Sequence, residues 1–284
     1  MPSKGPGVGE TGRVIPLLRA CHFQPTVAVT AIATTLAVSA GRGPGSVWVA
    51  LAVLSGQFSV GWGNDYLDRD RDRRAGRADK PIVAGQVTAR TVGIAALVAA
   101  VVCVPLSMMS GWRAGSIHLT AVAVAWAYNG GLQSTVASVV PYTLAFGALP
   151  AFVTLGLPGH PWPPGWATIA AGMMGTGAHF VNTLSDLEGD ARTGVRGLTH
   201  RIGPGVSLTL GALLMASATA VLAVAPPGGL GLLGSALMAA ALVAVIAVVV
   251  AGLTGHLRSA WSLAVCAAAV NVAAFVACGG SLTA

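Results

Sequence analysis

Long apolar runs dominate the chain and leave it few ways to fold. A helix that crosses a bilayer needs about 20 mostly apolar residues. Such runs occupy approximately residues 19–40, 46–66, 90–110, 115–130, 136–156, 164–185, 205–225, 229–252 and 259–279. Gly/Pro-rich breaks separate several of them, such as GRGPGS at 41–46, PGHPWPPG at 158–165 and PPGG at 226–229. In hydrocarbon each backbone polar group must find its partner within the protein, which for single segments means a helix. Composition points the same way. Only 9% of the residues are charged, against about 25% in soluble domains. The 38 glycines, like the many alanines, suit helices that pack closely through small residues. The expected fold is an all-α, polytopic membrane bundle of nine transmembrane helices.

The charges orient this bundle. Nine spans place alternate loops on opposite sides. The N-terminal tail and the loops after the second, fourth, sixth and eighth spans hold 14 of the 16 basic residues, leaving only Arg42 and Arg113 opposite. An excess of Lys and Arg marks the cytoplasmic side, so the N-terminus is expected inside and the C-terminus on the opposite side. The net charge of +7 thus belongs to membrane orientation, and no nucleic-acid partner is expected. Cys21, Cys103, Cys266 and Cys278 lie in or beside apolar runs without a CxxC pair, which argues against a disulfide or zinc framework. Residues 1–15 lack the apolar stretch of a signal peptide and read as a disordered cytoplasmic tail. Residues 16–284 read as one membrane domain.

The acids are far less evenly spread. Asp65, Asp68, Asp70, Asp72 and Asp79 follow the second span; Asp186, Glu188 and Asp190 follow the sixth; Glu10 alone lies elsewhere. The two places share a pattern: Asn64-x3-Asp68-x3-Asp72-x3-Gly76 and Asn182-x3-Asp186-x3-Asp190-x3-Gly194, offset by 118 residues, with Arg74 and Arg192 also corresponding. Four spans separate them, which preserves sidedness. The chain therefore reads as two parallel four-helix units, about 16–130 and 136–252, followed by a ninth helix at 259–279. Internal repeats of this kind are common in membrane folds.

On a helix, residues i, i+4 and i+8 lie nearly on one face. Asn64, Asp68 and Asp72 would form one stripe at the cytoplasmic end of span two, and Asn182, Asp186 and Asp190 another on span six. These oxygen ligands, with the adjacent Asp65, suit Mg²⁺, which takes one or two carboxylates and completes its octahedron with water and substrate phosphates. Two stripes can clamp a diphosphate through metal ions, which neutralise charge on a leaving group. Asp68, Asp72, Asp186 and Asp190 are the candidate catalytic residues. A basic set accompanies them: Arg69, Arg71, Arg73, Arg74, Arg77 and Lys80 after the first motif, Arg192, Arg196 and Arg201 after the second. Such groups bind phosphate oxygens or anionic headgroups. Trp62, Tyr66 and Phe180 adjoin the motifs and are candidates to line a channel. His179 and His22 read either as interhelical hydrogen-bonding groups or as site residues, and Asn271 as interhelical glue.

The stretch Asn64-Asp65-Tyr66-Leu67-Asp68-Arg69-Asp70-Arg71-Asp72 resembles the NDxxDxxxD signature of the UbiA superfamily of intramembrane prenyltransferases. Lys80-Pro81-Ile82 is similar to that family's RPI segment, with Lys in place of Arg. Asp186-Leu187-Glu188-Gly189-Asp190, then Gly194-Val195-Arg196, resembles its second signature, and Tyr128 matches the tyrosine of a YxxxK-type motif. The resemblance runs from about residue 15 to the C-terminus. It implies nine spans around a central cavity, Mg²⁺ dependence, and transfer of a prenyl group from an isoprenyl diphosphate to a small lipophilic acceptor, often aromatic, within the bilayer. Arg73, Arg77, Lys80, Tyr128, Arg192 and Arg196 are then the substrate-binding candidates. One departure stands out. After Tyr128 the chain reads Asn129-Gly130-Gly131-Leu132-Gln133, and no Lys or Arg occurs between Arg113 and Arg192. A terpene cyclase of the same superfamily, acting on the prenyl diphosphate alone, is the alternative reading. A CDP-alcohol phosphotransferase lacks its DGxxAR-type motif here. A membrane transporter would hold its acids at the midplane, not at the boundary.

Overall fold

The computed structural model describes residues 11–227, 231–277 and 282 of the 284-residue chain. The described residues contain twelve α-helices and no strand. In order these are α1 (Thr11–Ala20), α2 (Phe23–Ser39), α3 (Gly45–Arg74), α4 (Ala89–Met108), α5 (Trp112–Asn129), α6 (Val140–Thr154), α7 (Gly165–Leu184), α8 (Leu187–Arg192), α9 (Leu198–Ile202), α10 (Pro204–Val224), α11 (Leu232–Leu253) and α12 (Leu257–Ala277). Each apolar run of the sequence has a long helix over it. Six stretches are long and apolar enough to cross a membrane: α3, α4, 136–154, α10, α11 and 257–276. Residues Leu97, Val98 and Val101 of α4 and Val243, Ile246 and Val250 of α11 are apolar and exposed. Faces of this size would be a liability in water and suit contact with lipid tails. The protein is a multi-pass membrane protein.

Three boundaries differ from the sequence reading. The first apolar run is broken at Cys21–His22, where His22 takes a left-handed φ of 55°, and α1 extends back to Thr11, into the segment expected as a disordered tail. The indole Nε1 of Trp62 donates to the carbonyl of Leu17 at 2.8 Å, which pins α1 against α3. Lys4, Glu10 and Cys278 lie outside the described residues, as does the side chain of Arg13. Second, α3 continues unbroken to Arg74, so the whole first motif rides on one helix. Third, the second motif does not. α7 stops at Leu184, and α8 begins at Leu187. Ser185 Oγ donates to the Asn182 carbonyl at 3.0 Å and Thr183 Oγ1 to the Thr199 hydroxyl at 2.8 Å. Side chains that compete for backbone groups or anchor to a neighbouring segment favour a helix end at such a place. Even so, the Asp190 N–H bonds the Asp186 carbonyl at 2.8 Å, so the one-turn spacing survives the break.

Consecutive helices pack on one another along the chain: α2 on α3, α3 on α4, α4 on α5 and α5 on α6, then α6 on α7, α7 on α10 and α10 on α11. The ring closes where α12 meets α2 and α7. There Gln24 Nε2 donates to Ser262 Oγ at 3.3 Å. Asn271 in α12 donates to Thr219 Oγ1 of α10 at 3.0 Å, the interhelical role expected of it. At the opposite end, Arg42 donates to Ser110 Oγ at 2.9 Å and to the Val153 carbonyl at 3.2 Å, tying the α2–α3 and α4–α5 connections to the last turn of α6.

Candidate active site

The two motifs end in the same local structure. After Asp72 the chain turns through Gly76 at φ 69°, and after Asp190 through Gly194 at φ 85°. The Arg77 N–H returns to the Asp72 carbonyl, and the Val195 N–H to the Asp190 carbonyl, both at 3.0 Å. A left-handed residue closed by such a bond is the usual glycine C-terminal cap, costly for any residue with a Cβ. The turn swings Arg77 back over the motif, which explains the shared x3-Gly ending of both sequences.

The motifs meet at the mouth of one cavity of about 490 Å³. Asn64, Asp68, Asp72, Asn182, Asp186 and Asp190 all line it. Arg77 bridges the halves: its Nη1 donates to Asp186 Oδ1 at 3.2 Å, while Nε and Nη2 form a fork on Asp79, each at 3.1 Å. That fork holds the Asp79 carboxyl below, and the Arg77 guanidinium above, their ordinary ranges. Arg71 is paired with Asp68, which also accepts from Asn64 Nδ2 at 3.0 Å. Burial, and then the neighbouring Asp186 carboxylate, push the Asp190 carboxyl up to about 6. His200 Nε2 stands 3.7 Å from it.

Several sequence-assigned residues lie elsewhere. Asp65 is only 2% exposed and does not line the cavity. It accepts from Lys80 Nζ at 2.6 Å and stands 3.3 Å from His22 Nε2. Lys80 does line the cavity, so Asp65 sits behind it and aims it. Arg73 is 66% exposed and pairs with Asp70 at 3.2 Å, away from the opening. Arg196 is exposed and absent from the lining, and the side chain of Arg192 lies outside the described residues. Trp62, Tyr66 and Phe180 do not line the cavity either. Trp62 stacks on Phe58 at 4.8 Å, Tyr66 lies beneath Arg69 at 4.5 Å, and Phe180 is buried. His179 is buried behind Tyr128 and Tyr142, with Nε2 at 3.3 Å from Ser138 Oγ.

The lining also includes residues outside the substrate-binding candidates drawn from the resemblance. Arg71 is one, seven residues from Asn64 and therefore on its helix face; Arg73, nine residues away, falls opposite. Asn129 accepts from Asn64 at 3.3 Å and donates to the Val60 carbonyl at 2.9 Å; its proximity to Tyr128 was the available signal. His22 reaches Asn64 Oδ1 and Lys80 Nζ, both at 3.2 Å. Tyr128 faces the cavity, joined edge-on by Tyr142 at 5.4 Å. Below these, Ala178, Met174, Val29, Ile32, Phe146 and Ala268 make the wall apolar. Among the described residues no three His, Cys, Asp or Glu side chains converge on one point. Mg²⁺ draws only one or two carboxylates from a protein and the rest from phosphate and water. Four carboxylates and two amides around one opening, one carboxyl raised by burial and then by its neighbour, are donors of the kind that ion takes.

A closed helical ring with a lipid-facing exterior and a carboxylate-rimmed, apolar-floored cavity defines an all-helical membrane protein with one cavity between its two motifs. Residues 25–262 match the UbiA prenyltransferase family, and the chain belongs to that family. It is 32% identical over 207 residues to the bacteriochlorophyll synthase 33 kDa chain of Cereibacter sphaeroides, the match covering 64% of each chain. It is 31% identical over 196 residues to the Rhodobacter capsulatus protein of the same name, covering 60% of each. The match thus spans somewhat less than two thirds of these relatives. Among solved structures, a UbiA homologue from Aeropyrum pernix K1 superposes with a TM-score of 0.75 at 17% identity, over 89% of this chain and 98% of that one. One from Archaeoglobus fulgidus, bound to GPP and Mg²⁺, gives 0.65 at 19%, over 93% and 98%.

Proposed function

We propose that this protein is a Mg²⁺-dependent intramembrane prenyltransferase that ionises an isoprenyl diphosphate and passes the prenyl group to a small lipophilic acceptor. The observation that carries the reading is the convergence of both Asn/Asp motifs and three basic side chains on the mouth of a cavity whose floor is apolar. An ionic head and a hydrocarbon tail, held by one cavity, describe a prenyl diphosphate. Its relatives' names and the GPP and Mg²⁺ bound to the Archaeoglobus fulgidus homologue support the same assignment.

Asn64, Asp68 and Asp72 on one side, and Asn182, Asp186 and Asp190 on the other, are the residues that would hold Mg²⁺. The bound metal would supply charge neutralisation for the departing diphosphate. Arg71, Arg77 and Lys80 are placed to grip diphosphate oxygens by charge-assisted hydrogen bonds. In doing so Arg71 and Arg77 exchange their present partners Asp68 and Asp186, which frees those carboxylates for cations. Asp65 and His22 hold Lys80 in position. When the C1–O bond breaks, its electrons leave with the diphosphate, and the allylic carbon becomes positive. Tyr128 and Tyr142 offer ring faces to that charge, and the apolar wall excludes water that would capture it. The acceptor's electron pair then forms the new bond, and the proton that the acceptor sheds leaves with the departing diphosphate. Nine spans around the cavity, repeat-like halves at 16–130 and 136–252, a cytoplasmic N-terminus and a C-terminus on the other side complete the proposed architecture.

The test is to incubate the purified protein with labelled prenyl diphosphates and lipid extract, with and without Mg²⁺, and to identify the lipid product by mass. Mg²⁺-dependent appearance of a prenylated acceptor supports the proposal. A cyclic hydrocarbon formed without any acceptor would place the protein among the cyclases instead. No diphosphate release under any condition would refute both.

A further inference from the structure

Four of the helices around the cavity each share one of its lining residues with a second cavity. Beyond the main one lies an apolar space of about 80 Å³. The two share Ile32 of α2, Phe146 of α6, Met174 of α7 and Ala268 of α12. Each helix gives residues on its motif side to the first cavity and residues farther along to the second. On α7, Ala178 lines only the first and Ala170 only the second; on α12, Ala264 and Phe275 divide likewise. The shared residues therefore stand where the two spaces adjoin, one from each of four helices. From Asn182 to Met174 is eight residues, roughly 12 Å along the helix, so this boundary stands well below the diphosphate end. Phe146 is held in it from two sides. A Cβ on Gly175 would come within 2.6 Å of the Phe146 Cβ and Cγ, and the Phe146 ring lies nearly parallel to Tyr142, 6.2 Å away.

We propose that Phe146, with Ile32, Met174 and Ala268, is a chain-length gate: it ends the space open to the prenyl tail, and the second cavity behind it is unused by chains that stop at this boundary. This rests on the proposed binding of a prenyl diphosphate. An apolar wall discriminates by what fits. Hydrocarbon beyond the boundary gains no burial unless the wall opens, and a size mismatch in an apolar pocket is worth roughly 10- to 200-fold.

The experiment measures the affinity of geranyl, farnesyl and geranylgeranyl diphosphates, each with Mg²⁺, for the full chain in lipid nanodiscs. The wild type should bind geranylgeranyl diphosphate no more tightly than the shorter chains. Phe146→Ala, and separately Met174→Ala, should tighten geranylgeranyl diphosphate relative to geranyl diphosphate about tenfold or more. Ala268→Phe should act in the opposite sense, weakening the longer chains relative to the shortest. Thermal unfolding identifies the variants that fold, and because the two directions come from different helices, loss of one variant leaves the other decisive. A wild type whose affinity rises with every added isoprene unit, or folded variants that shift all three ligands alike, would overturn the gate. Binding of none of the three by the wild type would instead overturn the prenyl diphosphate reading itself, and the gate with it.

Discussion

The Asp190 carboxyl is the residue whose chemistry is most exposed to test. Burial and Asp186 raise it to about 6, from near 4 for an ordinary carboxyl. A raised carboxyl is protonated below that value, and a proton competes with a metal ion for the same oxygens. Mg²⁺ affinity is therefore expected to fall as pH drops through about 6 and to level off above 7. In the metal-free protein the sign for stability is the reverse. The unfolded chain releases this proton near pH 4 and the folded one near 6, so stability declines as pH rises between them and is restored by Mg²⁺. Titrating Mg²⁺ against the wild type and Asp190→Asn across pH 5 to 8 checks this; an identical step in both would assign the titration elsewhere. A second residue-scale expectation concerns Gln133, which lines the cavity in a stretch of the chain without Lys or Arg. Gln133→Lys adds a flexible cation in a partly dehydrated space, where charge counts for more than in water. It should lower the KM for the diphosphate. An unchanged KM would mean that position 133 does not reach the substrate.

At the scale of elements, the glycine turns decide where the cations stand. Gly76 has a φ of 69° and open space around its absent Cβ, so Gly76→Ala meets backbone strain, about 1–2 kcal/mol, and no steric clash. Relief of that strain would move Arg77, the bridge between the motifs. The expected outcome is a small loss in thermal stability with a disproportionate rise in KM for the diphosphate. A stability loss without any kinetic effect would separate the turn from the site. The elements also show what the sequence could and could not convey. The helices follow the apolar runs closely, because satisfying the backbone in hydrocarbon leaves a single local solution. The first motif was legible for the same reason, since an uninterrupted α3 obeys the 3.6-residue period. The break between α7 and α8 was not, because it depends on Thr183 bonding Thr199, a partner sixteen residues away. Asp65 and Arg73 were assigned by their place in a motif, although the helix period turns Asp65 off the Asn64 face and Arg73 opposite to it. Arg71 lies on that face by the same period.

For the whole molecule, sidedness and the joining of two halves are the claims at stake. With 14 of 16 basic residues assigned to one side, a reporter fused near Gly76 should register inside the cell and one at the C-terminus outside. Both on one side would refute nine spans. The second cavity, the closure of α12 on α2 and the crossing of Arg77 to Asp186 belong to this scale alone, since they join segments distant in sequence whose approach no local pattern encodes. The central claim is that the two motifs act as one site for a metal-bound diphosphate. Its most direct test is equilibrium binding of a non-cleavable geranyl thiodiphosphate, as Mg²⁺ is titrated, to the wild type, Asp68→Ala, Asp186→Ala and Asp70→Ala. Binding should require Mg²⁺. Asp68→Ala and Asp186→Ala, on opposite halves, should each weaken it about a hundredfold, the scale of losing one preorganised electrostatic group. Asp70→Ala, paired with Arg73 outside the cavity, should match the wild type. Mg²⁺-independent binding, or full affinity in either Asp68→Ala or Asp186→Ala, would contradict the account.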